Sequence, residues 1–226
     1  MFPTLAGLMK AVQSGELLAN LNIMGSWRDF PTTSVWNVAN VGTGAVGYQP
    51  VWMYLKTGVT ASSSATGYCG TLGLGKKEAA SHWHYDWDKK MILNFVYSRW
   101  HSDAQAVGRV QLKPTNEIGA LAAQGLGIRV ENYTMYAESY GTELKSTEIF
   151  TLTDIIDVQV TIILYPSQKI EFWINNKKKA THSDAVNIPT GDSGASEYLV
   201  QSIENGVTGS VDCYQYISQP KIWQER

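Results

Sequence analysis

A chain of 226 residues, 44% hydrophobic and 17% charged, holds enough apolar content for one large domain or two small ones and is too apolar for a disordered chain. Its 18 Lys+Arg against 20 Asp+Glu give a net charge of -2, which excludes the basic footprint on which nonspecific nucleic-acid binding depends. With 8 Trp, 12 Tyr and 5 Phe the composition points instead to a β-rich protein that works through aromatic contacts.

Residues 4–19 carry the one helical pattern: Leu5, Leu8, Met9 and Val12 recur at helical spacing, and Thr4 after Pro3 is a fitting N-cap. This predicts an N-terminal helical segment over 1–21 and a main domain over 22–226. The helix either packs on that domain or contacts a neighbouring subunit. Lys10, Gln13 and Glu16 interrupt the apolar residues of Met1–Asn22, so no export signal is expected there. No apolar run approaches the ~18–20 residues that a membrane span requires. Cys69 and Cys213 allow one bridge closing a long loop, too few for a disulfide scaffold.

From Asn22 onward, Gly and Ser punctuate short apolar runs, with Gly42, Gly44 and Gly47 followed by Ser62–Ser64, Gly67, Gly70, Gly73 and Gly75. Gln49–Leu55 reads as a strand, Met91–Tyr97 as a long strand, and Val107–Leu112 as another that stops at Pro114. In Val158–Tyr165 the residues Val158, Val160, Ile162 and Leu164 share one face by the two-residue period. Pro166–Lys169 makes a turn, because Pro presets φ and donates no ladder hydrogen bond. The return strand points Ile170, Phe172 and Ile174 inward and Glu171, Trp173 and Asn175 outward, and Asn175-Asn176 tolerates the left-handed conformation of a tight turn. About 12–14 such strands predict an all-β, antiparallel jelly-roll sandwich.

The order of segments from Lys89 to Trp223 resembles the concanavalin A-like lectin/glucanase superfamily, close to its laminin-G-like branch. The residues that carry the likeness are the strand near Met91–Trp100 and the Gly-led strand Gly127–Asn132. They continue with the hairpin Val158–Asn175 and its EFWINNKKKATHS return, Asn187-Ile188-Pro189, and the strand Val211–Ile217. The resemblance implies a lectin-like sandwich with a sugar ligand as the expected chemistry. Glycosidases of that superfamily place paired carboxylates on one strand, and retaining chemistry needs them roughly 5–5.5 Å apart. No such run stands here: Asp154 and Asp157 fall on opposite faces of a strand, and Glu131/Glu138 and Glu143/Glu148 have the wrong spacing. A pair drawn from two strands stays open. The calcium and transition-metal loop of legume-type lectins has no counterpart; Asp184, Asp192 and Asp212 are oxygen donors that either chelate a Ca²⁺ at a sandwich rim or solvate loops.

The densest polar and aromatic cluster is Ser81–Asp88. If extended, it sends His82, His84, Asp86 and Asp88 to one face and Trp83, Tyr85 and Trp87 to the other. Three readings compete. The polar face is a metal or catalytic face. The segment is a loop or edge strand whose rings pack on the core. Or the rings stack on sugar C–H faces while nearby His or Asp accept hydroxyl hydrogen bonds, with Trp100 and the outward Trp173 as further ring surfaces. His101-Ser102-Asp103 are sequence neighbours and do not make a nucleophilic triad, which draws on separate elements. The Lys76-Lys77, Lys89-Lys90 and Lys177–Lys179 points read as edge protection and solubility. Asn132-Tyr133-Thr134 matches a glycosylation acceptor, a three-residue pattern common by chance. Nucleotide cofactors have no motif.

The reading that follows is a non-catalytic structural or attachment sandwich, of a virus or phage particle or a cell surface. Glycan recognition is its chemistry and a homo-oligomer or particle its assembly, with no resident cofactor. A stand-alone lectin and a polysaccharide hydrolase or lyase are the alternatives. Burial of the aromatic rings discriminates, because a lectin needs a ring face open to its ligand.

Overall fold

A computed structural model describes residues 21–26, 37–49, 52–70, 86–100, 106–115, 118–153, 156–191, 198–206 and 212–225. The helical segment expected at 4–19 lies outside them. In chain order the strands are β1 (Leu21–Ser26), β2 (Asn37–Val41), β3 (Ala45–Gln49), β4 (Trp52–Lys56), β5 (Ser64–Gly70), β6 (Met91–Trp100), β7 (Val107–Lys113) and β8 (Gly125–Glu131). They continue with β9 (Thr134–Tyr140), β10 (Leu144–Thr151), β11 (Val158–Tyr165), β12 (Lys169–Ile174), β13 (Lys177–His182), β14 (Tyr198–Glu204) and β15 (Tyr214–Glu225), and a single 3-10 turn spans Ala185–Asn187. An eight-stranded antiparallel sheet runs β13-β12-β11-β6-β15-β4-β3, with β1 also paired on β15. A seven-stranded antiparallel sheet runs β10-β9-β8-β7-β14-β5-β2. The two stack as an all-β sandwich. No helix among the described residues is long and apolar enough to cross a membrane.

Alternation builds the core. Val158, Val160, Ile162 and Leu164 of β11 are buried and pair with the buried Phe95, Leu93 and Met91 side of β6. The seven-stranded sheet answers with Val110, Leu112, Leu126, Ile128 and Val130. The β11–β12 turn has Pro166 in second place and Ser167 at φ 53, with the Gln168 N–H donating to Tyr165 O at 3.1 Å, the arrangement of a type II turn. Asn175 and Asn176 sit at φ 49 and 63, the paired positive values of a two-residue hairpin, so β13 follows at once.

Two boundaries differ from the sequence reading. Gln49–Leu55 divides between β3 and β4, which pair antiparallel with Gln49 opposite Trp52. The last strand runs on to Glu225, past Pro220, because a register shift between Ser218 and Lys221 absorbs the residue that has no N–H for the ladder.

A polar layer crosses the apolar core. The Tyr97 hydroxyl donates to Gln215 Oε1 at 3.2 Å, Gln215 Nε2 donates to Arg109 O at 3.1 Å, and the Arg99 guanidinium donates to the carbonyls of Val130 and Ala106 at 3.0 and 2.6 Å. Gly108 stands under this layer, and a Cβ there would collide with the Gln215 side chain. Burial pushes the Tyr97 phenol up to about 12, the nearby Arg99 opposing it in part, so the hydroxyl stays a donor.

Candidate functional site

Of the cluster at 81–88, His82, Trp83, His84 and Tyr85 lie outside the described residues, as does the side chain of Trp100. Trp87 is fully buried in the core, with no ring face left for a sugar. The carboxylates beside it tie a turn. Asp86 Oδ1 accepts from the Asp88 N–H at 3.0 Å, Asp88 Oδ1 accepts from the Gly191 N–H at 2.9 Å, and Gln224 clamps the Asp86 backbone from both sides at 2.8 and 3.4 Å. Asp86 also pairs with Lys89 at 3.6 Å. The turn interrupts the extended geometry that would align the two aspartates on one face. The Cys69 side chain is outside the described residues, so the bridge that it and Cys213 allow falls outside them too; Cys213 itself is buried in the core.

The outer face of the seven-stranded sheet is unusually polar for a buried surface. Val110 and Leu112 face the core, so Arg109, Gln111 and Lys113 face out, yet all three are buried. On β8 and β9, joined by a turn with Asn132 and Tyr133 at positive φ, Arg129 lies beside Tyr136 and Gly127 beside Glu138. Glu138, buried to 1% exposure, accepts from Arg129 Nε at 2.7 Å and from Gln111 Nε2 at 3.3 Å. The Gln111 bond passes across Gly127, where a Cβ would crowd Gln111 and the Val110 carbonyl. Arg129 also pairs with Glu131 and lies 4.3 Å over the Tyr136 ring. Arg109 pairs with Glu204.

The registers place Thr66 (β5), Ser202 (β14), Arg109 (β7) and Arg129 (β8) side by side in one row across four strands, with Gln111 in the next row. Four atoms here are buried and have no partner among the described residues: Thr66 Oγ1, Ser202 Oγ, Arg109 Nε and Gln111 Oε1. Each such atom costs about 1–3 kcal/mol unless water or a ligand satisfies it. Half-buried Tyr136, Tyr140 and Tyr198 stand around them. None of these residues was singled out for function from sequence. The alternation Arg109-x-Gln111-x-Lys113 against Val110 and Leu112 is the signal that places them outward; their convergence depends on strand order.

The outer face of the eight-stranded sheet is aromatic. Trp173 points outward as expected and is half-buried, its Nε1 donating to Glu171 Oε2 at 3.3 Å. Glu171 also points outward, but it is covered to 2% exposure and held by Lys169 at 2.8 Å and Lys178 at 3.4 Å. Burial alone would raise its pKa; the hydrogen bonds and charges of Lys169 and Lys178 prevail and hold it below the usual range. Trp52, Tyr54, Tyr214 and Tyr216 form a contiguous ring cluster on β4 and β15, with centroids 5.8 to 6.3 Å apart.

Among the described residues no group of three His, Cys, Asp or Glu is placed to hold a metal ion. Asp184 is exposed beside the 3-10 turn, Asp212 pairs with Lys56 at 3.8 Å, and Asp192 lies outside the described residues.

Two stacked antiparallel sheets make the sandwich fold that the resemblance to concanavalin A-like lectins implies, and solved structures share that fold. The Emp47p carbohydrate recognition domain superposes with a TM-score of 0.59 at 10% identity, over 91% of this chain and 97% of that one. The potassium-bound form of the Emp46p carbohydrate recognition domain matches with a TM-score of 0.59 at 11% identity, over 89% and 97%. A structure of botulinum neurotoxin type C, whose cell entry depends on interaction with two ganglioside molecules, matches with a TM-score of 0.56 at 12% identity. It covers 92% of this chain, which spans about half of that one, 49%. At such identities the likeness is one of fold. No family model matches the chain, and no curated protein matches it in sequence.

Proposed function

We propose that the chain is a non-catalytic glycan-recognition sandwich that reads sugar hydroxyls on the outer face of its seven-stranded sheet. The observation that carries the reading is the polar row of that face, where the half-buried Arg129 and Tyr136 stand beside Arg109, Ser202 and Thr66, whose buried atoms have no partner among the described residues. A sugar hydroxyl both donates and accepts, so it meets the half-buried guanidinium of Arg129 and the phenols of Tyr136, Tyr140 and Tyr198, with Gln111 and Arg109 directly beneath them. The locked Arg129–Glu138 pair and the surrounding tyrosines hold that face in shape. The carbohydrate recognition domains and the ganglioside-dependent toxin of the same fold support the ligand class. Against the hydrolase reading, the buried carboxylates among the described residues, Glu138 and Glu171, belong to different sheets and face outward on opposite sides of the sandwich, so they share no cleft. The same reading assigns the protein an attachment role on a virus or phage particle or a cell surface, as one copy of an assembly.

The test is a glycan array run with the purified protein and with Gln111→Leu, whose side chain keeps the volume and loses the amide. Specific binding that weakens more than tenfold in Gln111→Leu, at a melting temperature within a few degrees of the parent, is the expected result. Binding equal in parent and variant, or none at all, would sink the proposal. Light scattering on the same sample, read against the 25.0 kDa chain, tests the assembly.

A further inference from the structure

We propose that the ring cluster of Trp52, Tyr54, Tyr214 and Tyr216 is a second carbohydrate-binding surface, which takes the apolar faces of uncharged sugar rings on the side of the sandwich opposite the polar row. It shares the ligand class of the reading above and none of its residues.

The sequence builds the surface by alternation. In β4, Trp52 and Tyr54 alternate with the core residues Met53 and Leu55; in β15, Tyr214 and Tyr216 alternate with the buried Gln215 and Ile217. Antiparallel register sets Tyr216 opposite Tyr54 and Tyr214 opposite Lys56, so the rings gather at one corner of the outer face. Gly47 of β3 is paired with Tyr54, and a Cβ at that position would collide with the phenol ring. The glycine therefore lets Tyr54 lie over the neighbouring strand. Tyr214 and Tyr216 stand nearly parallel, 18° apart in plane with centroids 6.3 Å apart, while Trp52 meets Tyr216 edge-on at 87°. The result is a set of half-buried π surfaces fringed with phenol hydroxyls.

Sugar rings need that combination. An axial C–H face packs on an aromatic ring, and the equatorial hydroxyls at its rim need donors and acceptors. Burial, then the neighbouring Tyr214 and Tyr54, raises the pKa of Tyr216, which keeps its hydroxyl a donor. Among the described residues, Lys56, opposite Tyr214 in the register, has its charge answered by Asp212 at 3.8 Å.

Size argues against a second copy of the chain as the occupant. Four half-buried rings present on the order of 200–300 Å², whereas a stable dimer buries about 800 Å² on each partner around an apolar centre. The large hydrophobic side chains that are exposed among the described residues, Val41, Val59, Leu144, Ile156 and Val186, lie on other elements and do not extend the patch. One or two sugar rings fill it.

Affinity electrophoresis through gels containing an uncharged β-glucan, mannan, xylan or galactan tests the inference, with sedimentation velocity on the same samples. At least one polysaccharide should retard the parent, and Trp52→Ala and Tyr216→Ala should each weaken that affinity about tenfold or more. Tyr216→Phe, which keeps the ring, should retain most of it. Gln111→Leu should leave this retardation unchanged even if it abolishes array binding, which separates failure of one surface from failure of the other. If Trp52→Ala does not fold, Tyr216→Leu carries the test, because it keeps apolar volume and removes the π face. No retardation by any polysaccharide, equal retardation of parent and ring variants, or a dimer that Tyr216→Ala dissociates would overturn the inference.

Discussion

Glu138 and Glu171 are the same residue type, at outward positions of two stacked sheets, and both are almost fully covered, at 1% and 2% exposure. Their surroundings differ. Glu138 is held by Arg129, whose side chain is 19% exposed, and by Gln111, which has no exposure. Glu171 is held by Lys169 and Lys178, whose side chains are 38% and 46% exposed. On the seven-stranded sheet, removing the carboxylate strands partners that water reaches poorly; on the eight-stranded sheet the lysines swing back into solvent. An outward polar residue therefore has no fixed meaning. Its weight depends on whether its partners keep their water.

Four substitutions break or sharpen this contrast. Glu138→Ala should cost most, about 3 kcal/mol, because it leaves the buried Gln111 amide without its acceptor and Arg129 with the exposed Glu131. The shift of the urea midpoint at unchanged slope measures it. Gly127→Ala should follow at about 2 kcal/mol, since its methyl group pushes Gln111 off its line to Glu138. A double-mutant cycle with Glu138→Ala should then show strong non-additivity.

His182 comes next and lies between the sheets. Its Nδ1 is 2.7 Å from Ser139 Oγ, its Nε2 is 3.0 Å from Thr147 Oγ1, and its ring packs 4.9 Å from Phe172. Burial first, then the charge of Lys145, pushes its pKa down to about 4 from 6.5, with Asp184 opposing. The unfolded chain thus binds more protons between those values. Stability from neutral His182 is complete above pH 6.5, falls as the pH drops towards 4, and is flat below. The loss should reach about 2 kcal/mol by pH 5. His182→Gln should remove that component of the pH dependence when urea midpoints are compared at pH 7, 5 and 4. Glu171→Ala should cost least, under about 1 kcal/mol, as a surface ion pair does. A loss as large as that of Glu138→Ala would void the contrast between the faces.

Much of the fold was legible because strand periodicity is local. Val158–Tyr165, the Pro166 turn, the inward Ile170, Phe172 and Ile174, and the Asn175-Asn176 turn all follow from the two-residue period and from residues that tolerate special φ. The split of Gln49–Leu55 was not legible, because one apolar run serves equally for one strand or for two paired ones. Trp87 shows the same limit at the level of function. Its neighbours His84, Asp86 and Asp88 suggest a ligand face, but the turn tied by Gln224 and Gly191 delivers the ring to the core. Trp173 was read outward and stands outward, since its place in a regular strand decides its face.

By itself, the amino-acid sequence determined the class of protein: a sparsely charged, aromatic, strand-rich chain whose alternating residues must bury one face of each strand. Alternation says which way a side chain points. It does not say which strands lie beside it. Only the tertiary structure, by pairing β7 with β8 and β14 and setting β4 against β15, brought Arg109, Gln111 and Ser202 together on one side and Trp52, Tyr54 and Tyr216 on the other. The β7–β14 and β4–β15 pairings join residues 85 to 164 positions apart, a distance over which no local pattern carries information.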